Sequence, residues 1–228
     1  MQKDIKEAVK EVILFLDIDG VLHPLGGNHL PVGTPVEALL HREELGNGFL
    51  VEELQENSKD KKFDSYTALS GEFCEKNLQC LQRLVVEAGQ KSRNKEEVEV
   101  HIVLISTWRE KPWSLECAKR ELAKYGLEIQ DATPILAGAD VRQRPAEIAL
   151  WLENKAYSKS RSRSFSYVVL DDADLVSYMP EHVDVAVPSQ PSIEKERFLR
   201  VDMAFGLTDA DVDKALRILE KPVAGSVF

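Results

Sequence analysis

The chain has 228 residues, 43% of them hydrophobic and 30% charged, with 29 basic residues against 39 acidic ones and a net charge of −10. That length supports a well-buried core, and the acid excess excludes broad, nonspecific nucleic-acid binding, which needs a positive footprint. The three cysteines, Cys74, Cys80 and Cys117, form no Cys-x-x-Cys, which argues against a disulfide framework or a zinc knuckle and fits free thiols in a reducing compartment.

Val12-Ile13-Leu14-Phe15-Leu16 is the first apolar run, and it predicts a buried parallel strand over residues 12–17. It is too short to cross a bilayer, which takes about 20 apolar residues, and no apolar leader precedes it. The expectation is a cytoplasmic protein with no membrane partner. Residues 24–68 hold Gly26-Gly27-Asn28, Gly33-Thr34-Pro35 and Gly46-Asn47-Gly48, which are turn signals. This stretch reads as an inserted flap or minimal cap, partly mobile, with a short helix over 36–45.

Ser70 is placed to cap a helix reaching about Ala88, with Cys74, Leu78, Leu81 and Val85 at helical spacing and Gly89 as its terminator. The charged stretch 91–99 leads into a second strand over 102–106. Trp113 to Tyr125 reads as a helix stopped by Gly126, followed by a short strand at Leu127–Ile129. A third helix opens at Pro145 and carries Ile148, Trp151 and Leu152 on its buried side. Tyr167–Leu170 is a third buried strand, reached through a basic low-complexity segment over 157–165. Phe198–Val201 predicts an edge strand, and Thr208 with Asp211 opens a last helix, stapled by Leu207 and Val212. Strands and helices alternate, so the expected fold is α/β: one domain over 1–228, three-layered and Rossmann-like, with a mainly parallel sheet. The segments 91–99 and 157–165 enter strands at their N-terminal ends, away from any ligand, and read as solvated loops.

The chemistry stands at the other ends. Asp17-Ile18-Asp19-Gly20 follows the first strand, Ser106-Thr107 the second and Asp171-Asp172 the third. Open α/β sheets bind ligands at these C-terminal tips. Paired buried carboxylates repel unless a cation or proton offsets them. Gly20 allows a sharp turn and close approach to a ligand. Arg144 lies at a helix start between the second and third strands, with Arg142 close enough to compete for its role. A metal-assisted reaction with a carboxylate nucleophile would use all of these features. His23 either lines the pocket or serves the local turn. Trp108 is either core or a stacking platform, and Arg109 could bind a second phosphate.

In this order the motifs resemble those of the haloacid dehalogenase (HAD) superfamily. The narrower set Asp-x-Asp-Gly-Val-Leu-His-Pro, Ser-Thr-Trp-Arg, Arg-Pro-Ala-Glu-Ile-x-x-Trp-Leu, Leu-Asp-Asp and a late Gly-Leu-Thr looks like the HAD domain of Swiss Army Knife RNA-repair proteins. Residues 24–68 and 181–197 look like insertions relative to that pattern. The resemblance implies that Asp17 is the nucleophile and Asp19 the acid/base residue. It implies phosphate contacts from Ser106, with Thr107 as the alternative, and from Arg144. It further implies Mg²⁺ held by Asp17, Asp171, Asp172 and the Asp19 carbonyl, in keeping with a hard cation's oxygen ligands.

The expected function is a Mg²⁺-dependent phosphatase acting through an aspartyl-phosphate. The small flap implies an open site and a large phosphorylated substrate, a nucleic-acid end or a phosphoprotein. The alternatives are a catalytically idle HAD-fold binding module and a small-metabolite or nucleotide phosphatase. No Gly-x-x-x-x-Gly-Lys-Ser/Thr or Gly-x-Gly-x-x-Gly follows a strand, which argues against a nucleotide-binding kinase or dehydrogenase.

Overall fold

The computed structural model describes residues 11–24, 73–90, 98–136, 141–158, 165–178, 194–221 and 223. The expected flap, the Ser70 cap, the stretch 181–193 and most of the two charged loops lie outside the described residues. Five strands form one parallel sheet: β1 (Glu11–Leu16), β2 (Glu99–Leu104), β3 (Ile129–Ala132), β4 (Phe165–Asp171) and β5 (Phe198–Arg200), in the order β3-β2-β1-β4-β5. The helices are α1 (Glu75–Gln90), α2 (Pro112–Ala123), α3 (Arg144–Ser158) and α4 (Asp209–Leu219).

The alternation of side chains along β1 produces the layers. Val12, Leu14 and Leu16 join one core cluster with Leu78 and Leu81 of α1, Cys117 and Leu122 of α2, and Val212 and Leu216 of α4. Ile13 and Phe15 join the other, with Ile148 and Trp151 of α3. The Phe15 ring meets Trp151 edge-on at 5.3 Å and Tyr167 at 5.9 Å. A central strand apolar on both faces is what a helix-covered parallel sheet requires.

Register carries the functional consequence. Leu16 pairs with Leu104 on one side and Leu170 on the other, so the three central strands end level. The Asp17 N–H donates to the Leu170 carbonyl at 3.0 Å, and the Ile105 N–H to the Leu16 carbonyl at 2.9 Å. Asp17, Ser106 and Asp171 therefore emerge together at one edge.

Several boundaries differ from the sequence reading. β1 closes at Leu16 and β2 at Leu104, so Asp17 and Ser106 lie just beyond their strands. Helix α1 continues through Gly89 to Gln90, with Gly89 inside it and not at its terminus. Gly126 does stop α2: it adopts φ +68°, its N–H reaches the Ala123 carbonyl, and the Leu127 N–H reaches that of Leu122. That double closure takes Leu127 into the helix terminus, so β3 starts two residues later than expected, at Ile129. Tyr157 and Ser158 belong to the end of α3, not to a loop. The capping box at Thr208 and Asp211 forms as read. No described helix is long and apolar enough to cross a membrane.

Candidate active site

The first-motif turn is built on Ile18, whose carbonyl accepts the N–H groups of Val21, Leu22 and His23 at 3.2, 2.9 and 3.2 Å. Gly20 stands at φ +73°, and a Cβ there would lie 2.5 Å from the Asp172 carboxyl carbon. Only glycine lets the turn pack against that acid. The turn is also clamped from outside. The Leu207 N–H donates to the Val21 carbonyl at 2.8 Å, and Asn77 of α1 donates to the carbonyls of Phe205 and Leu207. Gly206, at φ +68°, is confined between Val21 and Asn77. The late Gly-Leu-Thr is thus a brace for the first motif. Nothing local in the sequence marks Asn77 as its anchor, 130 residues from Leu207.

Asp17 and Asp171 are both 2% exposed and share one guanidinium. A single Arg144 nitrogen donates to Asp17 Oδ2 and Asp171 Oδ2, each at 2.6 Å. Asp172 completes a set of three carboxylates whose ligating oxygens all lie within 4.8 Å of one another. Burial, then the neighbouring charge of Asp17, pushes the Asp171 carboxyl up to about 7. The Asp172 carboxyl is raised for the same two reasons. Burial also raises Asp17 despite the opposing Arg144 charge. Asp17 and Asp171 together hold the Arg144 guanidinium more firmly protonated against the cost of its burial.

When all three are ionised, three carboxylates against one guanidinium leave two negative charges, which a divalent cation would offset. An all-oxygen set suits Mg²⁺, so the residues present fit the metal that the motifs imply.

The other expected site residues divide sharply. Ser106 is fully buried, and its hydroxyl hydrogen-bonds the Asp17 carboxylate. Its Oγ also accepts from the Trp108 N–H, capping a 3₁₀ turn over Thr107–Arg109. Thr107 is exposed on that turn, so Ser106 is the hydroxyl beside Asp17. Arg142 is exposed, whereas Arg144 is buried in the cluster. Arg109, expected to contact phosphate, is engaged within the fold. Its guanidinium lies against buried Glu147 and donates to the carbonyls of Ile105, Ser106 and Thr133. Burial lowers its pKa, and its hydrogen bonds tie the loops after β2 and β3 together. Glu147, whose other oxygen accepts from the Leu136 N–H at 3.0 Å, is the unforeseen member of that tie.

The Asp19 carboxylate stands apart from the three clustered acids. His23 Nδ1 lies 2.9 Å from its Oδ1, and the Trp108 indole N–H donates to its Oδ2 at 3.0 Å. Trp108 is 7% exposed and belongs to the core, the first of its two expected roles. Asp19 is still close enough for its charge to raise the pKa of both Asp17 and Asp172.

A parallel α/β sheet with Asp-x-Asp, serine and Asp-Asp at the tips of its central strands, and an arginine at a helix start among them, defines a HAD-type domain, of the kind associated with phosphatase-type hydrolysis. A family model described as the HAD domain in Swiss Army Knife RNA repair proteins matches residues 13–212, and the chain belongs to that family. No curated protein and no solved structure matches the chain.

Proposed function

We propose that this protein is a Mg²⁺-dependent phosphatase that hydrolyses phosphate monoesters in two steps through an aspartyl-phosphate. The observation that carries the proposal is the convergence of Asp17, Asp171 and Asp172 on one point, bridged by Arg144. Asp17 attacks phosphorus, and the ester oxygen leaves with a proton from Asp19. Asp19 then takes a proton from water, which displaces Asp17 and releases inorganic phosphate. Arg144, permanently charged and already between two acids, turns to the phosphoryl oxygens. The Ser106 hydroxyl is placed to donate to one of them. Bound through Asp17, Asp171, Asp172 and the Asp19 carbonyl, Mg²⁺ would supply charge neutralisation that lets an anion approach anionic carboxylates.

The favoured substrate is a phosphate on a large molecule. An RNA end is the first class to test, because the family is described from RNA-repair proteins. The net charge of −10 restricts any such contact to a local surface. The site is proposed to act in the cytoplasm, in keeping with the free cysteines. The deciding experiment is phosphate release from an aryl phosphate, RNA ends, phosphopeptides, nucleotides and sugar phosphates. Hydrolysis should stop in EDTA and return with Mg²⁺. Full activity in chelator would overturn the metal-dependent reading, and efficient turnover of small metabolites alone would overturn the large-substrate one.

A further inference from the structure

The acid/base residue of the proposed reaction is held by rings. Trp108, His23 and Phe73 come from three separate segments and meet one another. The Phe73 and Trp108 centroids are 5.3 Å apart at 84°, those of His23 and Trp108 6.1 Å at 80°, and those of His23 and Phe73 6.1 Å at 27°. Trp108 is anchored at its backbone as well, for its carbonyl accepts the Ser114 hydroxyl at 2.7 Å. From this fixed position its indole N–H reaches Asp19, 89 residues earlier in the chain.

We propose that Trp108 is a positioning residue for Asp19, setting the carboxylate orientation in which it exchanges a proton beside Asp17. The inference rests on the phosphatase reading above. A buried indole N–H needs an acceptor, and a backbone carbonyl would serve if packing were its only task. Here the acceptor is the acid itself. An indole N–H donates and never accepts, so it occupies one lone pair of Oδ2 without competing for the transferred proton. His23 Nδ1 lies 2.9 Å from Oδ1, and the lone pairs that neither ring meets stay available to the leaving oxygen and to water. Rings packed edge to face cannot follow a rotating carboxylate, so Asp19 keeps its place between the two half-reactions. A misplacement of about 1 Å at such a group can cost roughly 10²-fold in rate.

The test removes the indole N–H. Trp108→Phe is the simple variant, and its folding is checked by thermal melting. Where the smaller ring unfolds the protein, benzothienylalanine at position 108 keeps the shape and removes the donor. In the variant, kcat/KM for phenyl phosphate should fall about tenfold, and that for 2,4-dinitrophenyl phosphate by less than about threefold, because a good leaving group needs little protonation. The acid-quenched phosphoenzyme fraction should rise, since Asp19 also activates water. An equal loss for both esters, or no loss, would overturn the proposal while leaving the phosphatase reading intact. Absence of hydrolysis by the wild-type protein would overturn that reading, and the positioning role with it. The hydrogen bond has its own readout: the Trp108 indole resonance in ¹H–¹⁵N spectra should shift on Asp19→Ala, and an unmoved resonance would overturn the proposal whatever the activity.

Discussion

The two ends of one strand and one helix make the most instructive comparison in this molecule. Helix α3 runs against β1, so Arg144 in its first turn meets Asp17 beyond the strand's end, and Lys155 in its last turn meets Glu11 at the strand's start. At the start, Glu11 is buried, with Lys155 Nζ at 2.5 Å and His101 Nε2 at 2.9 Å. Glu99 adds a half-exposed carboxylate 3.4 Å from His101. The buried acid has a lysine of its own there, and Lys155 also suits the negative end of the helix. At the other end three carboxylates cluster around one guanidinium that two of them bind, itself at the positive end of the helix, where a cation is disfavoured. At one end the buried acid has its own permanent cation within the chain. At the other the acids outnumber the cation, an excess that a proton or a ligand must answer, and such a surplus is typical of a binding site.

The largest expected effect is at the unbalanced end. Asp17→Asn should reduce phosphate release to background and abolish the phosphoenzyme. The same variant should melt a few degrees higher than wild type without metal, since it removes one of the repelling charges; a lower melting point would break the contrast. Next, Asp19→Asn should retain the nucleophile and lose ~10²–10⁴-fold in turnover of a poor-leaving-group ester, measured by steady-state kinetics.

The Glu11 end should answer in stability alone. Lys155→Met leaves Glu11 short of its closest cation and should cost about 3 kcal/mol, read in urea unfolding. Its turnover below the melting transition should match wild type; a large loss would show that the two ends are not independent. Mg²⁺ at 100 times its Kd should stabilise wild type by about 2.7 kcal/mol, and this gain should vanish in Asp172→Asn.

The smallest effect lies away from both ends. Asp211 is partly buried, but hydrogen bonds from Lys214 and Thr208 hold its carboxyl below the ordinary value of 3.8. Its folded value is depressed, so its stabilisation is present above pH 3.8 and is lost as pH falls through the lower folded value. Asp211→Asn should cost about 1 kcal/mol at pH 7, and the difference from wild type should shrink in unfolding curves taken below pH 3.8.

Much of this architecture is written locally. Val12–Leu16 and Tyr167–Leu170 have the apolar continuity of doubly covered strands, and Thr208 with Asp211 carries a helix start within four residues. Such features depend on neighbours in sequence, so the residue types alone determined the parallel α/β class and the motifs at the strand tips. Tertiary structure decided which of similar residues reach the cluster. Arg144 enters it while Arg109 turns to Glu147, and Ser106 points to Asp17 while Thr107 faces solvent. It also decided that Trp108 meets Asp19 and that Asn77 braces the first-motif turn. A guanidinium, an indole or an amide carries no local sign of its partner. Each pairs with whatever acceptor the register of the sheet and the packing of distant loops bring within about 3 Å, and that distance is set only when the whole core closes.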